Sequence, residues 1–254
     1  MSKDIDDYLY EKIVPYREER REKCMEDRKT YDGVFDRRTL LAFYKLLKRG
    51  TIEIVEFPIS TGKEGDVFRG IGKNGYIAIK VYRMSTANYR GLSRFIDGDD
   101  RFAHIHKTKD TIILVWARKE YRNLEDYVRA GVRVPAPIDR WKNIIVMEYI
   151  GDETRPAPLL KTVMENLKKD IVYDIIEEMR KMYKAKLIHG DLSEYNILVW
   201  DDLPWIIDVG QAVPLTHPLA YELLARDIKN MCRVFKKLGV EMTPKELASE
   251  IGVM

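Results

Sequence analysis

The hydrophobic period of this sequence changes along its length, and that change limits the fold more than any other feature. From Thr51 the apolar residues Ile52, Ile54 and Phe57 alternate with polar ones, and the runs 67–71 and 76–82 are rich in β-branched and aromatic side chains. Gly62, Gly65, Gly70, Gly72 and Gly75 punctuate these runs, which predicts an antiparallel meander. Beyond Gly151 the period lengthens: Val163, Leu167, Ile171, Ile175, Met179 and Met182 share one face, predicting a helix over 163–183. Strands first and helices second predict an α+β chain in two lobes, with a ligand cleft between them.

The flanking segments complete the outline. Residues 1–50 read as a charged helical extension, with Arg17–Lys23 alternating in sign at helical spacing and Leu40, Leu41, Tyr44 and Leu47 forming a stripe. The sheet lobe then spans 51–150 and the helical lobe 151–254. Residues 83–110 lose periodicity and carry many basic groups, so a long mobile loop or weak structure is predicted there. Ile112, Val115, Trp116, Lys119, Leu124 and Val128 predict a helix over 111–130 that Gly131 ends, and 143–150 reads as an apolar strand. Short strands at 197–200 and 205–207 flank an Asp-Asp-Leu-Pro turn. A helix from about Leu219 to Leu238 stops at Gly239, and Thr243, Pro244 and Glu246 carry the capping pattern of a last one.

Composition removes several function classes. With 45% hydrophobic and 33% charged residues, no apolar run long enough to span a bilayer and no basic-then-apolar leader, the chain reads as cytoplasmic with no membrane partner. Cys24 and Cys232 lack metal-ligand spacing and read as two reduced thiols. A net charge of +3 is too small to imply nucleic-acid binding by itself, and no DNA partner is expected.

The chemistry concentrates in His189-Gly-Asp-Leu-Ser-Glu-Tyr-Asn196, followed twelve residues later by Asp208-Val-Gly. Phosphoryl transfer needs cations held between phosphates and a carboxylate that orients the nucleophile and accepts its proton; the protein otherwise works by position and charge. Asp191, Asn196 and Asp208 supply those parts, and their order resembles the H-R-D-x-x-x-x-N and D-F-G loops of protein kinases, with Gly190 for Arg and Val209 for Phe. Ala78-Ile-Lys80 resembles the V-A-I-K strand whose lysine meets the α- and β-phosphates, and Glu120 on the next helix would be its ion partner. Ser60-Thr-Gly-Lys-Glu-Gly-Asp-Val67 stands where a phosphate loop belongs. Gly62 and Gly65 permit close backbone approach there, Ser60, Thr61 and Lys63 add donors, and Glu64 and Val67 complete the loop. Val146-Met-Glu-Tyr-Ile150 reads as a hinge, with Met147 as gatekeeper and the Glu148 and Ile150 backbones toward adenine. Asp227 is equally compatible with bracing the catalytic loop and with a surface or capping role.

Taken together, S-T-G-K-E-G-D-V, K-E-x-R-N-L, M-E-Y-I-G-D, H-G-D-L-S-E-Y-N and I-D-V-G-Q-A-V resemble the RIO family of atypical protein kinases, type-one subfamily, from about Thr51 to Gly239. The resemblance implies a two-lobed protein-kinase-like fold with a truncated helical lobe. It implies ATP with Mg²⁺, or Mn²⁺ in its place, as cofactors, and serine autophosphorylation with ATP hydrolysis during maturation of the small ribosomal subunit. The pre-small subunit or its RNA would then be the partner. Asp191 would be the catalytic carboxylate, Asn196 and Asp208 the metal ligands, and Asp208 also the acceptor of a transient aspartyl-phosphate. No A-P-E follows Gly210 and Ser193 stands where protein kinases carry lysine, so a broad peptide substrate is not expected. Residues 83–109 read equally as an RNA contact, as a carrier of Ser85, Thr86 or Ser93 for autophosphorylation, and as a solvated loop. The rival readings are a small-molecule kinase of the aminoglycoside or choline type, the small kinase-like ATPase of the tRNA-modification complex, and a nucleotide-binding scaffold.

Overall fold

The computed structural model describes residues 8–9, 12–13, 35–62, 65–84, 89–105, 108 and 111–253. The charged run at 17–23, Cys24, Ser85 and Thr86 lie outside them, as do His106, Lys107 and Lys109. The described chain forms two compact units. The first holds residues up to Tyr89 with 107–118 and 137–149; the second holds 90–106, 119–136 and everything from Ile150.

In the first unit the predicted meander forms. Strands β1 (Ile54–Thr61), β2 (Gly65–Gly72) and β3 (Gly75–Tyr82) are joined by β4 (Pro137–Trp141) and β5 (Ile144–Glu148) in the order β1-β2-β3-β5-β4, and every pair is antiparallel. The sequence reading missed β4. Its Pro137 and its register shift after Pro137 break the strict alternation that marks a strand. Gly65 allows the close approach of β2 to β3, since a Cβ there would sit 2.3 Å from the Val81 carbonyl oxygen.

Helix α1 (Arg37–Lys48) begins at Asp36, whose carboxylate accepts the Thr39 N–H at 2.7 Å. Its Phe43, Leu46 and Leu47 join Leu9, Ile13, Val55, Phe68, Ile77, Ile79, Val81, Ile144 and Val146 in one buried cluster. Fully desolvated Asn143 ties this helix to the sheet, donating to Thr39 Oγ1 at 2.8 Å and to the Tyr82 carbonyl at 2.7 Å.

In the second unit the described part of the region predicted as a long mobile loop or weak structure holds regular elements. Helix α2 (Tyr89–Ile96) and a 3-10 turn (Asp100–Phe102) bury Leu92, Phe95, Ile96 and Phe102. Spacings of three and one residues are too few to register as a period, yet they bury a full apolar face. Arg101 clamps this turn by ion pairs to Asp99 at 2.8 Å and Asp126 at 2.7 Å. Helix α3 (Ile112–Arg129) forms as predicted, its first seven residues in the first unit and the rest in the second.

The helix predicted at 163–183 begins later, as α5 (Asp170–Lys184), after a short α4 (Leu160–Val163) and a 3-10 turn (Met164–Asn166). Leu159 bridges to Leu198, the Pro158 carbonyl accepts the Val199 N–H at 2.9 Å, and Leu167 is extended. Docking onto a neighbouring strand thus overrides the helical stripe at Val163 and Leu167. Ile171, Ile175, Met179 and Met182 keep the buried face. Strands β7 (Ile197–Trp200) and β8 (Leu203–Ile206) form a hairpin whose turn is only Asp201-Asp202, both with positive φ (51° and 59°). Two-residue strands β6 (Leu187–Ile188) and β9 (Val213–Pro214) pair with each other. Helices α6 (Ala220–Lys237) and α7 (Pro244–Glu250) close the unit, the latter with its predicted capping box formed.

Candidate active site

The residues from His189 to Asn196 leave β6 and enter β7 as a loop held on all sides by hydrogen bonds. Gly190 adopts φ +80°, a left-handed conformation open to glycine, so the arginine of ordinary kinases has no place there. Its N–H donates to Asp227 Oδ2 at 2.7 Å, and the Leu192 N–H donates to Asp227 Oδ1 at 2.9 Å. Asp227, on α6 and 3% exposed, therefore braces the loop from behind, which decides between its two sequence readings. Burial pushes its carboxyl up, while the two N–H donors, His189 and Arg226 pull it down. His189 Nδ1 accepts the Asp191 N–H at 3.2 Å, and its Nε2 faces the Ile207 carbonyl at 3.1 Å.

This bracing delivers Asp191 half-exposed at the loop's crest. Gln211 Nε2 donates to Asp191 Oδ2 at 3.1 Å, and Arg226 lies 4.0 Å from Oδ1 while also reaching the Gly190 carbonyl and Gln211 Oε1. Burial raises the Asp191 pKa above the ordinary aspartate value, and neighbouring Asp208 raises it further; His189 and Arg226 oppose the rise. Asn196 Nδ2 donates to the Asp191 carbonyl at 2.8 Å, leaving its Oδ1 as the atom that can face a cation.

Asp208 follows β8 in a left-handed conformation, φ 57° and ψ 56°, which costs a non-glycine residue about 1 kcal/mol and which aspartate tolerates better than most. Among the described residues no group of three His, Cys, Asp or Glu side chains could hold a metal ion alone. One carboxylate and one amide oxygen fit Mg²⁺, which takes few protein ligands and completes its octahedron with phosphate oxygens and water.

The second unit thus brings together Asp191, Asn196 and Asp208. The first unit brings together the other half of the predicted set: Val67 pairs with Lys80 across β2 and β3, and Ala78 pairs with Met147 across β3 and β5. Ser60, Thr61 and Gly62 are exposed at the end of β1, where the Gly62 N–H donates to the Gly65 carbonyl at 2.9 Å; Lys63 and Glu64 lie outside the described residues. Glu148 ends β5. Lys80 stands in the first unit, whereas Glu120, buried, and Ile150 stand in the second. Sequence reasoning missed Gln211 and Arg226. The one available signal was that Gln211 is the chain's only glutamine and directly follows D-V-G.

The family described as the RIO domain matches residues 66–247. The RIO-type serine/threonine-protein kinase Rio1 of Haloferax volcanii is 41% identical over 216 residues, covering 84% of this chain and 74% of that protein. Rio1 of Methanocaldococcus jannaschii is 40% identical over 267 residues, covering 97% of this chain and 90% of that protein. Among solved structures, the Rio2 kinase of Chaetomium thermophilum in its ADP/Mg²⁺-phosphoaspartate complex has a TM-score of 0.66 at 23% identity, covering 87% of this chain and 67% of that one. The likeness is one of fold, and the expected two-lobed kinase-like α+β class is the observed one.

Proposed function

The chain belongs to the RIO family of serine/threonine-protein kinases, and from that premise we propose that it transfers the γ-phosphoryl group of Mg²⁺-bound ATP through Asp191, Asn196 and Asp208. The observation that carries this reading is the Asp191 carboxylate, held by Gln211 and Arg226 on a loop that Asp227 pins. An acceptor hydroxyl attacks the γ-phosphorus, the bond to the ADP oxygen breaks, and the hydroxyl proton passes to Asp191. Its raised pKa makes it a better proton acceptor than an ordinary aspartate. Asn196 Oδ1 and the Asp208 carboxylate would hold Mg²⁺, or Mn²⁺, which when bound neutralises the phosphate charge.

Lys80 is the proposed contact of the α- and β-phosphates. The β1–β2 turn from Ser60 to Gly65 is the proposed phosphate loop, and residues 147–150 the adenine contact. We further propose ATP hydrolysis and autophosphorylation, with Asp208 as a phosphate acceptor, and a cytoplasmic role in maturation of the small ribosomal subunit. The similar Rio2 structure, a phosphoaspartate complex, supports the acceptor reading.

Incubation with γ-labelled ATP and Mg²⁺ tests the reading. Labelled protein and released phosphate should both vanish in Asp191→Ala and Asp208→Asn, and acid- or base-lability of the label separates phosphoserine from aspartyl-phosphate. ATP binding without label or release in the parent would favour the scaffold reading.

A further inference from the structure

Lysine is almost never fully buried unless something within the fold requires it. Lys119, on α3, is 0% exposed, and so is Asn123 one turn later on the same face. Both aim at a single target. Lys119 Nζ donates to the Gly210 carbonyl at 3.1 Å and to the Ala212 carbonyl, while Asn123 Nδ2 donates to the Val209 carbonyl at 2.7 Å and the Ala212 carbonyl at 3.1 Å. These carbonyls belong to the 3-10 turn that starts directly after Asp208. Asn123 is held in turn by Arg101, which donates to its Oδ1 at 2.8 Å and is locked by Asp99 and Asp126.

Burial lowers the Lys119 pKa to about 7, opposed by Asp99 and aided by Arg101. The grip does not depend on that titration, because ammonium and amine both retain N–H donors for the two carbonyls. The Val209 carbonyl also accepts the Ala212 N–H at 3.1 Å, whereas the Gly210 and Ala212 carbonyls rely on these side-chain donors, whose loss would cost about 1–3 kcal/mol at each. The turn that follows left-handed Asp208 is thereby fastened to a helix at three carbonyls, those of Val209, Gly210 and Ala212.

We propose that Lys119 and Asn123 are positioning residues of the metal loop, gripping the carbonyls of Val209, Gly210 and Ala212 so that the Asp208 carboxylate is presented to a nucleotide-bound divalent cation. This rests on the reading of Asp208 as a metal ligand. Lys119 and Asn123 both lie in the K-E-x-R-N-L motif, in which the sequence reading gives a role to Glu120 alone.

The test measures Mn²⁺ affinity of the full chain in the presence of ADP by electron paramagnetic resonance, beside ADP affinity without metal. Asn123→Asp keeps volume and the Arg101 contact but turns an acceptor toward two carbonyls; Lys119→Met removes the donors at similar length. Both variants should weaken Mn²⁺ about tenfold or more, leave metal-free ADP binding within twofold, and lower kcat more than they raise KM for ATP. Folded variants with parental Mn²⁺ affinity overturn the proposal, even where they melt earlier, because a merely structural role predicts that result. Should either variant fail to fold, Asn123→Ser, which withdraws one donor group without adding charge, carries the same criterion. Asp208→Asn separates the two ideas: if it leaves Mn²⁺ affinity unchanged, the metal-ligand reading falls; if it alone weakens Mn²⁺, only the positioning role falls.

Discussion

Asp227 offers the sharpest quantitative test of how the catalytic loop is held. Its carboxylate accepts two backbone N–H bonds, from Gly190 at 2.7 Å and Leu192 at 2.9 Å, in a place closed to water. In Asp227→Ala both donors lose their acceptor, at about 1–3 kcal/mol each, so the fold should lose roughly 2–6 kcal/mol. In Asp227→Asn one N–H keeps an oxygen and the other meets an amide NH₂, for about 1–3 kcal/mol. The raised pKa means that burying the charge costs more than its hydrogen bonds return, so removing the charge recovers part of the loss. Asn should therefore fall at the low end, near 1 kcal/mol. For a chain of this size 1 kcal/mol moves Tm by about 2–4 °C. The expected drops are about 2–4 °C for Asn and at least about 4 °C for Ala, read by circular dichroism melts. Steady-state turnover should fall at least about tenfold in Ala, because the freed loop no longer aims Asp191. An Asp227→Ala protein melting within 2 °C of the parent (a margin set by the ~1 kcal/mol resolution of such shifts) with turnover within twofold would refute the argument.

Other consequences follow from the same geometry. Arg226 lowers the Asp191 pKa, so Arg226→Met should move the acid limb of the kcat profile to higher pH; an unmoved limb would separate Asp191 from that limb. Gln211→Leu should cut kcat by roughly 10–100-fold with little change in KM, since it removes an orienting bond and no substrate contact; a change confined to KM would refute this. Between pH 7 and 10.5 native Lys119 sheds a proton that the unfolded chain keeps. Stability should therefore rise with pH across that window, by up to about 1.4 kcal/mol per pH unit, and urea midpoints of Lys119→Met should show a flatter slope. Gly65→Ala should destabilise strongly, as its Cβ meets the Val81 carbonyl; a parental melting temperature would show that the β2–β3 spacing can relax.

What was legible in the sequence was whatever depends on neighbours along the chain. Period, caps and motif spacing placed β1 to β3, α3, α6, the capping box of α7, and Asp191, Asn196 and Asp208. What stayed hidden depends on contacts between distant segments. Leu92, Phe95 and Phe102 look like scattered apolar residues among charges until they are buried together, and Leu159 and Leu198 pull a stretch of helical pattern onto a strand. Lys119, Gln211 and Arg226 are ordinary polar residues in sequence; only folding shows that one is buried and two converge on Asp191. Asp227 was readable as a candidate, and its role required knowing which N–H groups it faces.

The Asn143 link between α1 and the sheet bears on how this protein can be handled. A chain trimmed to begin at Asp66 would shed β1 and α1 and lay bare Phe68, Ile77, Ile79, Val81, Ile144 and Val146 together, leaving Asn143 without its Thr39 partner. Such a face invites association, so the shortened protein should run as aggregate on a sizing column while the full chain does not. Helix α1 thus shields the sheet it covers, and any truncation meant to isolate the phosphotransfer machinery should preserve it.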